Sequence, residues 1–551
     1  MGLPLLDELI VWLPNREEPP AGTAGRNRRT EPPTGPGVSS YPASPTPKLP
    51  AAARSGGRKR FFPVTELIHQ KTVNSTAGRS SHTTPAMAPH RSPLRLLLTG
   101  LAALGLLLPA PEAAAQGFGF NQHSACSTAR AGAAVARPCS DGSAVFYNPA
   151  ALVGAEGWSA SLGAVTVLSS SRFVDDRLAS RTDQDSDPRV VPHLFVRHAP
   201  NQQWAFALGV YAPYGFSTGW PPDFEGAFIS FDSSLEAVYI QPTVAYQLHP
   251  RLALGAGPVG VVSSVELNRR ADLSEQAVPG TPLSWGQLGI ARGTGFADVR
   301  LRSTGATGLG GHFGLQAQLH DRVKAGVRFL TPVRTSFDGS ARFRQVETGL
   351  VLPAQNPLGL PGGTPVDQLL EPAFSQGPLV DQEGRTEIRL PAQVVAGVDL
   401  AVRPDLFLAV DYQWTNWSTF DRVELRFTNP DLDDALVQNY GNAATIRAGV
   451  EYRPRDRWSL LGGYLYNEAA APDETVTPLV PEGERNHWTL GLGWQATPSI
   501  RLDGSYHLLL QNDRRGRTRD DPTGAPPTPA INDGVFEVAA HLFGFTLTLD
   551  F

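Results

Sequence analysis

The chain has 551 residues, 18% charged, with a formal net charge of -5 at pH 7. That mild acidity argues against a nucleic-acid partner, which needs a basic face. No run of 18 or more apolar residues follows from any part of the sequence, so spanning helices are excluded. A membrane β-barrel is not excluded, because its strands alternate and their hydropathy averages out. Two cysteines in the whole chain speak against a disulfide-built fold.

Residues 1–86 are rich in Pro, Arg, Ser and Thr, with PPTGPG at 32–37, and read as a disordered leader. After Met87 come His90, Arg91 and Arg95, an apolar run Leu96–Leu108, and Ala113-Ala114-Ala115. This basic, apolar, small-residue order is that of a secretory signal peptide over 87–115. Met87 is then expected as the true start and 1–86 as an upstream artefact, the alternative being a genuine extension. The mature chain is expected to begin near Gln116, in an oxidising compartment.

Residues 116–152 are small-residue-rich, carry Cys126 and Cys139, and end near Asn148-Pro149-Ala150. In an oxidising compartment the two cysteines are expected to pair, closing a loop that contributes ~3 kcal/mol through the unfolded chain. Two free thiols are the alternative. No His or Cys cluster supplies further metal ligands, so no metal and no cofactor is expected.

From Gly157 the signal is period-2 alternation. Trp488, Leu490, Leu492 and Trp494 alternate with Thr489, Gly491 and Gly493; Phe545, Leu547, Leu549 and Phe551 close the chain in the same rhythm. Fourteen strands are predicted, over about 157–168, 189–199, 203–213, 233–248, 251–268, 305–319, 322–346, 386–402, 406–428, 443–453, 457–467, 486–496, 499–511 and 535–551. Short connections at 200–202, 249–250, 320–321, 403–405, 454–456 and 497–498 alternate with seven long ones. An even strand number with short turns at one end is the outer-membrane pattern. Closure follows, because an open edge in lipid leaves backbone groups unpaired at several kcal/mol each. Trp158, Trp204, Trp414, Trp417, Trp458, Tyr464, Tyr466 and Trp488 are read as an interfacial girdle. The fold class predicted is all-β: a 14-stranded antiparallel transmembrane β-barrel over 153–551, preceded by a lumenal plug over 116–152.

The motifs carrying this pattern resemble the FadL family of outer-membrane transporters for long-chain fatty acids and other hydrophobic compounds. They are GFGFNQHSACSTARAG from Gly117, SAVFYNPAAL from Ser143, PYGFSTGWPPDFEGAF at 213–228 and YIQPTVAYQLHPRLALGAG at 239–257. GLQAQLHDRVKAGVRFLTPV at 314–333, LPAQVVAGVDL at 390–400, WTNWSTFD at 414–421, PDETVTPLVPEGER at 472–485 and the ending HLFGFTLTLDF complete the order. The resemblance covers essentially all of 116–551. It implies a barrel blocked by an N-terminal hatch, entry between outer loops, a lumenal pocket, and sideways exit beside a kinked third strand. The cysteine pair departs from the family pattern.

Capture of a hydrophobic solute needs apolar surface outside, and two long loops supply candidates: Leu283, Trp285 and Leu288 in 269–304, and Leu358, Leu360, Leu369 and Phe374 in 347–385. Such patches mark binding sites, or pack against one another as a lid. Burying about a dozen methylenes gives ~10 kcal/mol gross, against ~1 kcal/mol for a partly solvated carboxylate–Arg pair. Apolar burial therefore sets affinity and a basic residue orientation. Arg328 and Arg447, with Lys324 and Arg501, are the inward basic candidates; ion pairing with Asp399, Asp411, Glu451 or Asp503 is the alternative. Phe118 and Phe120, on glycine hinges, are expected to reach the pocket. Asn148, Pro149 and Ala150 are expected to anchor and gate the plug, or to form an ordinary turn.

Gly255-Ala256-Gly257-Pro258-Val259-Gly260 matches a dinucleotide fingerprint but lies mid-strand with no helix following, and is discounted. Asn416-Trp417-Ser418 matches a glycosylation acceptor but falls in a predicted strand. No Ser/His/Asp set assembles, so no enzyme is expected. A general diffusion porin or a structural, adhesin-type barrel remains the alternative. The expected partners are a hydrophobic ligand, outer-membrane lipid and the barrel-assembly machinery, around a monomer.

Overall fold

The computed structural model describes residues 117–518 and 533–551, except 177, 186, 279, 280 and 357. The leader over 1–86, the signal peptide over 87–115 and Gln116 lie outside the described residues.

Fourteen antiparallel strands follow one another around a closed sheet. They are β1 Gly157–Asp175, β2 Arg189–Ala199, β3 Trp204–Gly219, β4 Asp232–His249, β5 Leu252–Asp272 and β6 Gly295–His320. β7 runs Val323–Leu330 and Val333–Gln345, β8 Gln382–Leu390 and Gln393–Arg403, and β9 Leu406–Thr415 and Arg422–Phe427. β10 Ala443–Arg455, β11 Trp458–Asn467, β12 Arg485–Thr497, β13 Ile500–Gln511 and β14 Gly534–Asp550 complete the wall. β14 pairs with β1 from Ser159↔Asp550 to Asp175↔Gly534, which leaves no open edge there. The count agrees with the alternation in the sequence.

The alternation works because each strand has two unlike environments. Leu162, Leu309, Phe313, Trp488, Leu490 and Phe545 stand exposed on the outer face. Arg328, Asp399, Asp411, Arg447, Glu451 and Asp503 are buried on the inner one. Short turns gather at the end where Gly157 faces Ala199, and the long connections at the other.

Three predicted strands are interrupted. β7 breaks at Thr331-Pro332 and β8 at Pro391-Ala392, where proline has no N–H to give the ladder. β9 was expected unbroken over 406–428; a 3-10 turn at Trp417–Thr419 divides it. That turn carries Trp417 into the interior, with none of its surface exposed, so it does not belong to the interfacial girdle.

β3 is the irregular element. It pairs with β2 only from Leu194↔Val210 to His198↔Phe206, while β3 itself continues to Gly219. Its register against β4 shifts between Tyr211 and Tyr214. Pro213 lies within that shift and cannot donate a ladder bond. Along residues 211–219, β3 forms no ladder with β2.

Candidate functional site

Residues 117–152 form α1 (Ala125–Ala129), α2 (Ala144–Tyr147) and a 3-10 turn, Pro149–Leu152, nearly all of it buried. Its composition explains its fit: Ala125, Ala129, Ala133 and Ala136 present little bulk and bury almost completely. Cys126 and Cys139 are joined by a disulfide spanning the middle of the segment. Asp141 accepts from the hydroxyls of Ser124 and Ser143 and ties the same region together.

Asn148 Nδ2 donates to the carbonyls of Val135 at 2.7 Å and Leu315 at 3.0 Å, while its Oδ1 accepts from Ala150 N–H at 3.1 Å. The tripeptide thus lies against β5 and β6, not against the irregular part of β3. Two glycines make room for it. A Cβ on Gly314 would come under 3.0 Å from Asn148 Oδ1, and one on Gly255 under 3.0 Å from the Pro149 backbone. The dinucleotide-like glycine run is therefore a strand whose first glycine admits a proline.

The front of the segment takes up the pairing that β3 lacks. Phe120 N–H donates to Pro213 C=O at 2.8 Å, and Gly215 N–H to Phe118 C=O at 3.0 Å. The Phe118 ring packs among Tyr214, Phe216, Trp417 and Phe420, at centroid distances of 6.3, 5.8, 4.7 and 5.1 Å. Phe120 does not join it; it packs with Val165, Ala540 and Leu542 on β1 and β14.

Above Phe118, towards the long loops, lies an apolar cavity of about 80 Å³. Phe216, Leu235, Leu267, Leu301, Phe337, Ile388, Phe420 and Leu425 line it, with Leu479 from a long loop. The charged groups at its margin are paired: Arg385 with Asp338 at 2.9 Å, Arg426 with Glu424 at 2.9 Å, Arg302 with Glu266 at 3.7 Å. Each is at least partly exposed and contributes little energy. The chemistry left to the cavity is dispersion and exclusion of water.

None of the loop candidates lines this cavity. Leu273, Val278, Trp285, Leu352, Val366 and Leu370 form a separate buried cluster over the loops, with Leu288, Leu358, Leu369 and Phe374 packed against it. Leu283 is partly buried and Leu360 is exposed. Neither Arg328 nor Arg447 reaches the cavity. Arg328 donates to Gln393 at 2.9 Å beneath Tyr214, and Arg447 to Gln413 at 2.7 Å.

At the short-turn end lies a polar mouth of about 780 Å³, lined by Cys126, Cys139, Arg137, Asp399, Glu451 and Arg453 among others. Arg137 bridges Asp399 at 2.9 Å and Glu451 at 3.0 Å, and Arg130 lies 3.6 Å from Glu451. These two segment arginines, missed in the sequence, neutralise acids that were assigned to strand bases. Among the described residues no His, Cys, Asp or Glu group has the arrangement of a metal site.

A closed wall with a lipid-ready belt, an apolar lumenal cavity and a polar mouth define a membrane-spanning β-barrel of the transport class. Residues 106–551 match the family model of outer membrane transport proteins (OMPP1/FadL/TodX), and the chain belongs to that family. It is an outer-membrane protein, and its family consists of transport channels for hydrophobic compounds. Outer membrane protein P1 of Haemophilus influenzae is 21% identical over 442 residues, covering 74% of this chain and 89% of its own. The long-chain fatty acid transport protein of Escherichia coli K12 is 21% identical over 417 residues, covering 73% and 89%. Among solved structures, a Pseudomonas aeruginosa FadL homologue superposes with a TM-score of 0.67 at 19% identity, covering 79% of this chain and all of its own. The toluene transporter TodX of Pseudomonas putida gives 0.56 at 17% identity, covering 79% and 99%.

Proposed function

We propose that this chain takes up long-chain fatty acids or similar hydrophobic molecules through the apolar cavity, with residues 116–152 acting as the hatch that releases them. The observation that carries the reading is the position of Phe118. One residue packs on Phe216 and Phe420, which line the cavity, and pairs with β3 where β2 does not. Displacing it would open the cavity and the wall together, which couples release to a sideways exit between β2 and β3. The names of two relatives, a fatty acid transporter and a toluene transporter, support the ligand class.

Ligand retention then follows from apolar area. About a dozen buried methylenes supply ~10 kcal/mol gross, reduced by the cost of ordering the chain. The paired margin of the cavity adds little, so affinity should rise with apolar length. A tight site needs a second state with weaker contacts for release. The loop cluster serves as the lid over the cavity, Asn148-Pro149-Ala150 as the fixed end of the hatch, and the disulfide as the stiffener between. We read the protein as a monomer inserted by the barrel-assembly machinery, with 87–115 as its signal peptide.

The test is saturable uptake of a radiolabelled long-chain acid or hydrocarbon into vesicles carrying the protein, with mass spectrometry of what copurifies. Swelling of the same vesicles by small sugars at a porin rate, without saturable uptake, would replace this reading with general diffusion.

A further inference from the structure

We propose that outward arginines of β6–β9, just above the apolar belt, hold the phosphate groups of a phosphorylated glycolipid of the outer leaflet. The inference needs only the orientation of the barrel and stands apart from the uptake reading. On β7 the last exposed apolar residue is Phe329, whose ladder partner on β8 is Val394. Five residues beyond each, past the breaks at Pro332 and Pro391, Arg334 and Arg389 stand directly opposite one another. Both are exposed on the outward face, since their neighbours Val333, Thr335, Ile388 and Leu390 are buried.

The relation recurs at steps of four residues. Arg385 on β8 stands opposite Arg426 on β9, and Arg342 on β7 opposite Arg300 on β6. These arginine pairs form tiers rising from the belt towards the long loops. Like charges directly opposite one another destabilise a sheet, and the lowest tier is short of negative charge. Arg334 and Arg389 share Glu387, at 3.1 and 3.9 Å. In the highest tier Asp381, whose charge interacts with Arg342, is held by Arg344 at 3.1 Å. The middle tier is matched, Arg385 by Asp338 and Arg426 by Glu424, each at 2.9 Å.

A phosphate group supplies what the lowest tier lacks. It carries up to two negative charges, and its oxygens match the guanidinium fork. Exposed ion pairs contribute little, so a phosphate competes with Glu387 at small cost. The position selects a lipid as the source: the arginines face sideways directly above the belt, at the level of lipid headgroups, and anionic headgroups attract such basic clusters. Successive tiers lie about 13 Å apart along the strand, so a headgroup with several phosphates bridges them while its acyl chains lie on the belt below. The outer ends of other strands differ. Arg172 on β1 is bonded to Asp183 at 2.6 Å, and β4 presents the exposed acid Glu236.

The test is the affinity of the full mature chain, in detergent micelles, for lipid A carrying both of its phosphates, measured by titration calorimetry. An Arg334→Gln/Arg389→Gln double variant, an Arg342→Gln variant and an Arg172→Gln control would be confirmed as folded by heat-modifiable gel mobility. The double variant is expected to bind about tenfold more weakly and Arg342→Gln a few-fold more weakly, with Arg172→Gln unchanged. Lipid A lacking one phosphate is expected to bind the wild type more weakly. Equal affinity in the double variant and the wild type would overturn the proposal, and so would an equal loss in Arg172→Gln, which would mean general attraction to the barrel. Inorganic pyrophosphate binding as tightly as the lipid would assign the arginines to a free polyphosphate instead. A wild type that binds no lipid but self-associates through these arginines would make the face a contact between copies of the chain and equally overturn it.

Discussion

The ring of Phe118 stands edge-on to that of Trp417, with centroids 4.7 Å apart and planes at 72°. Aromatic pairs in this arrangement contribute about 0.5–1.5 kcal/mol beyond the area they bury. Phe118 makes four aromatic contacts of this order, enough to hold the tip in place and few enough to be given up. Phe118→Ala should weaken binding of a long-chain ligand about tenfold, since Phe216 and Phe420, which line the cavity, lose the ring they pack on. Titration of the detergent-solubilised variant with a fluorescent acyl probe measures this, and unchanged affinity would place the ligand elsewhere.

Gly255→Ala is expected to loosen the segment at its other end. The added Cβ would meet the Pro149 backbone, which cannot swing aside as a flexible side chain can. Barrel assembly should persist while residues 117–152 become open to protease. Limited proteolysis of the folded barrel reads this directly; a segment as resistant as the wild type would show that β5 yields instead.

Asn148→Ala removes both amide donations, to Val135 and Leu315. Each such bond contributes on the order of 1 kcal/mol, with a further penalty for the carbonyls left unmade. Uptake should fall several-fold with heat-modifiable mobility of the barrel unchanged. Normal uptake by this variant would reduce the tripeptide to a turn before β1.

Replacing Cys126 and Cys139 by serine frees the segment between them. Closing a loop of this length contributes ~3 kcal/mol by restricting the unfolded chain, and the disulfide here joins two points of the segment alone. The expected result is lower hydrogen-exchange protection over 124–141 with barrel strands unaffected. Equal protection in both forms would mean that the contacts of Arg130 and Arg137 hold the segment unaided.

The barrel was legible because lipid imposes one rule on every strand: apolar residues outward at alternate positions, as in Trp488–Trp494. The breaks at Pro332 and Pro391 were less so, since a proline in an alternating run only weakens one ladder bond locally. The residues that line the apolar cavity were not singled out in the sequence, for a more specific reason. The apolar loop residues, Trp285 and Leu370 among them, pack against one another, whereas the cavity is lined mainly by inward residues of the strands' outer halves. The signal was present in β4, where Leu235, Ala237 and Tyr239 alternate with outward Val238 and Ile240. An apolar residue on both faces marks a lumen that is itself apolar. Trp417 was hidden by the same habit of assigning every strand-end aromatic to the membrane interface.

The claim that uptake requires movement of the segment's tip is tested by fixing the tip to the wall. Gly119 and Tyr214 pair across an isolated bridge, so Gly119→Cys with Tyr214→Cys, on a Cys126→Ser, Cys139→Ser background, would cross-link the segment to β3. The measurement is the rate of vesicle uptake of a long-chain acid before and after reduction of that single cross-link. Uptake blocked in the oxidised form and restored by reduction is the predicted result. Uptake at the same rate in both forms would contradict it, because the ligand would then be passing a tip that cannot move.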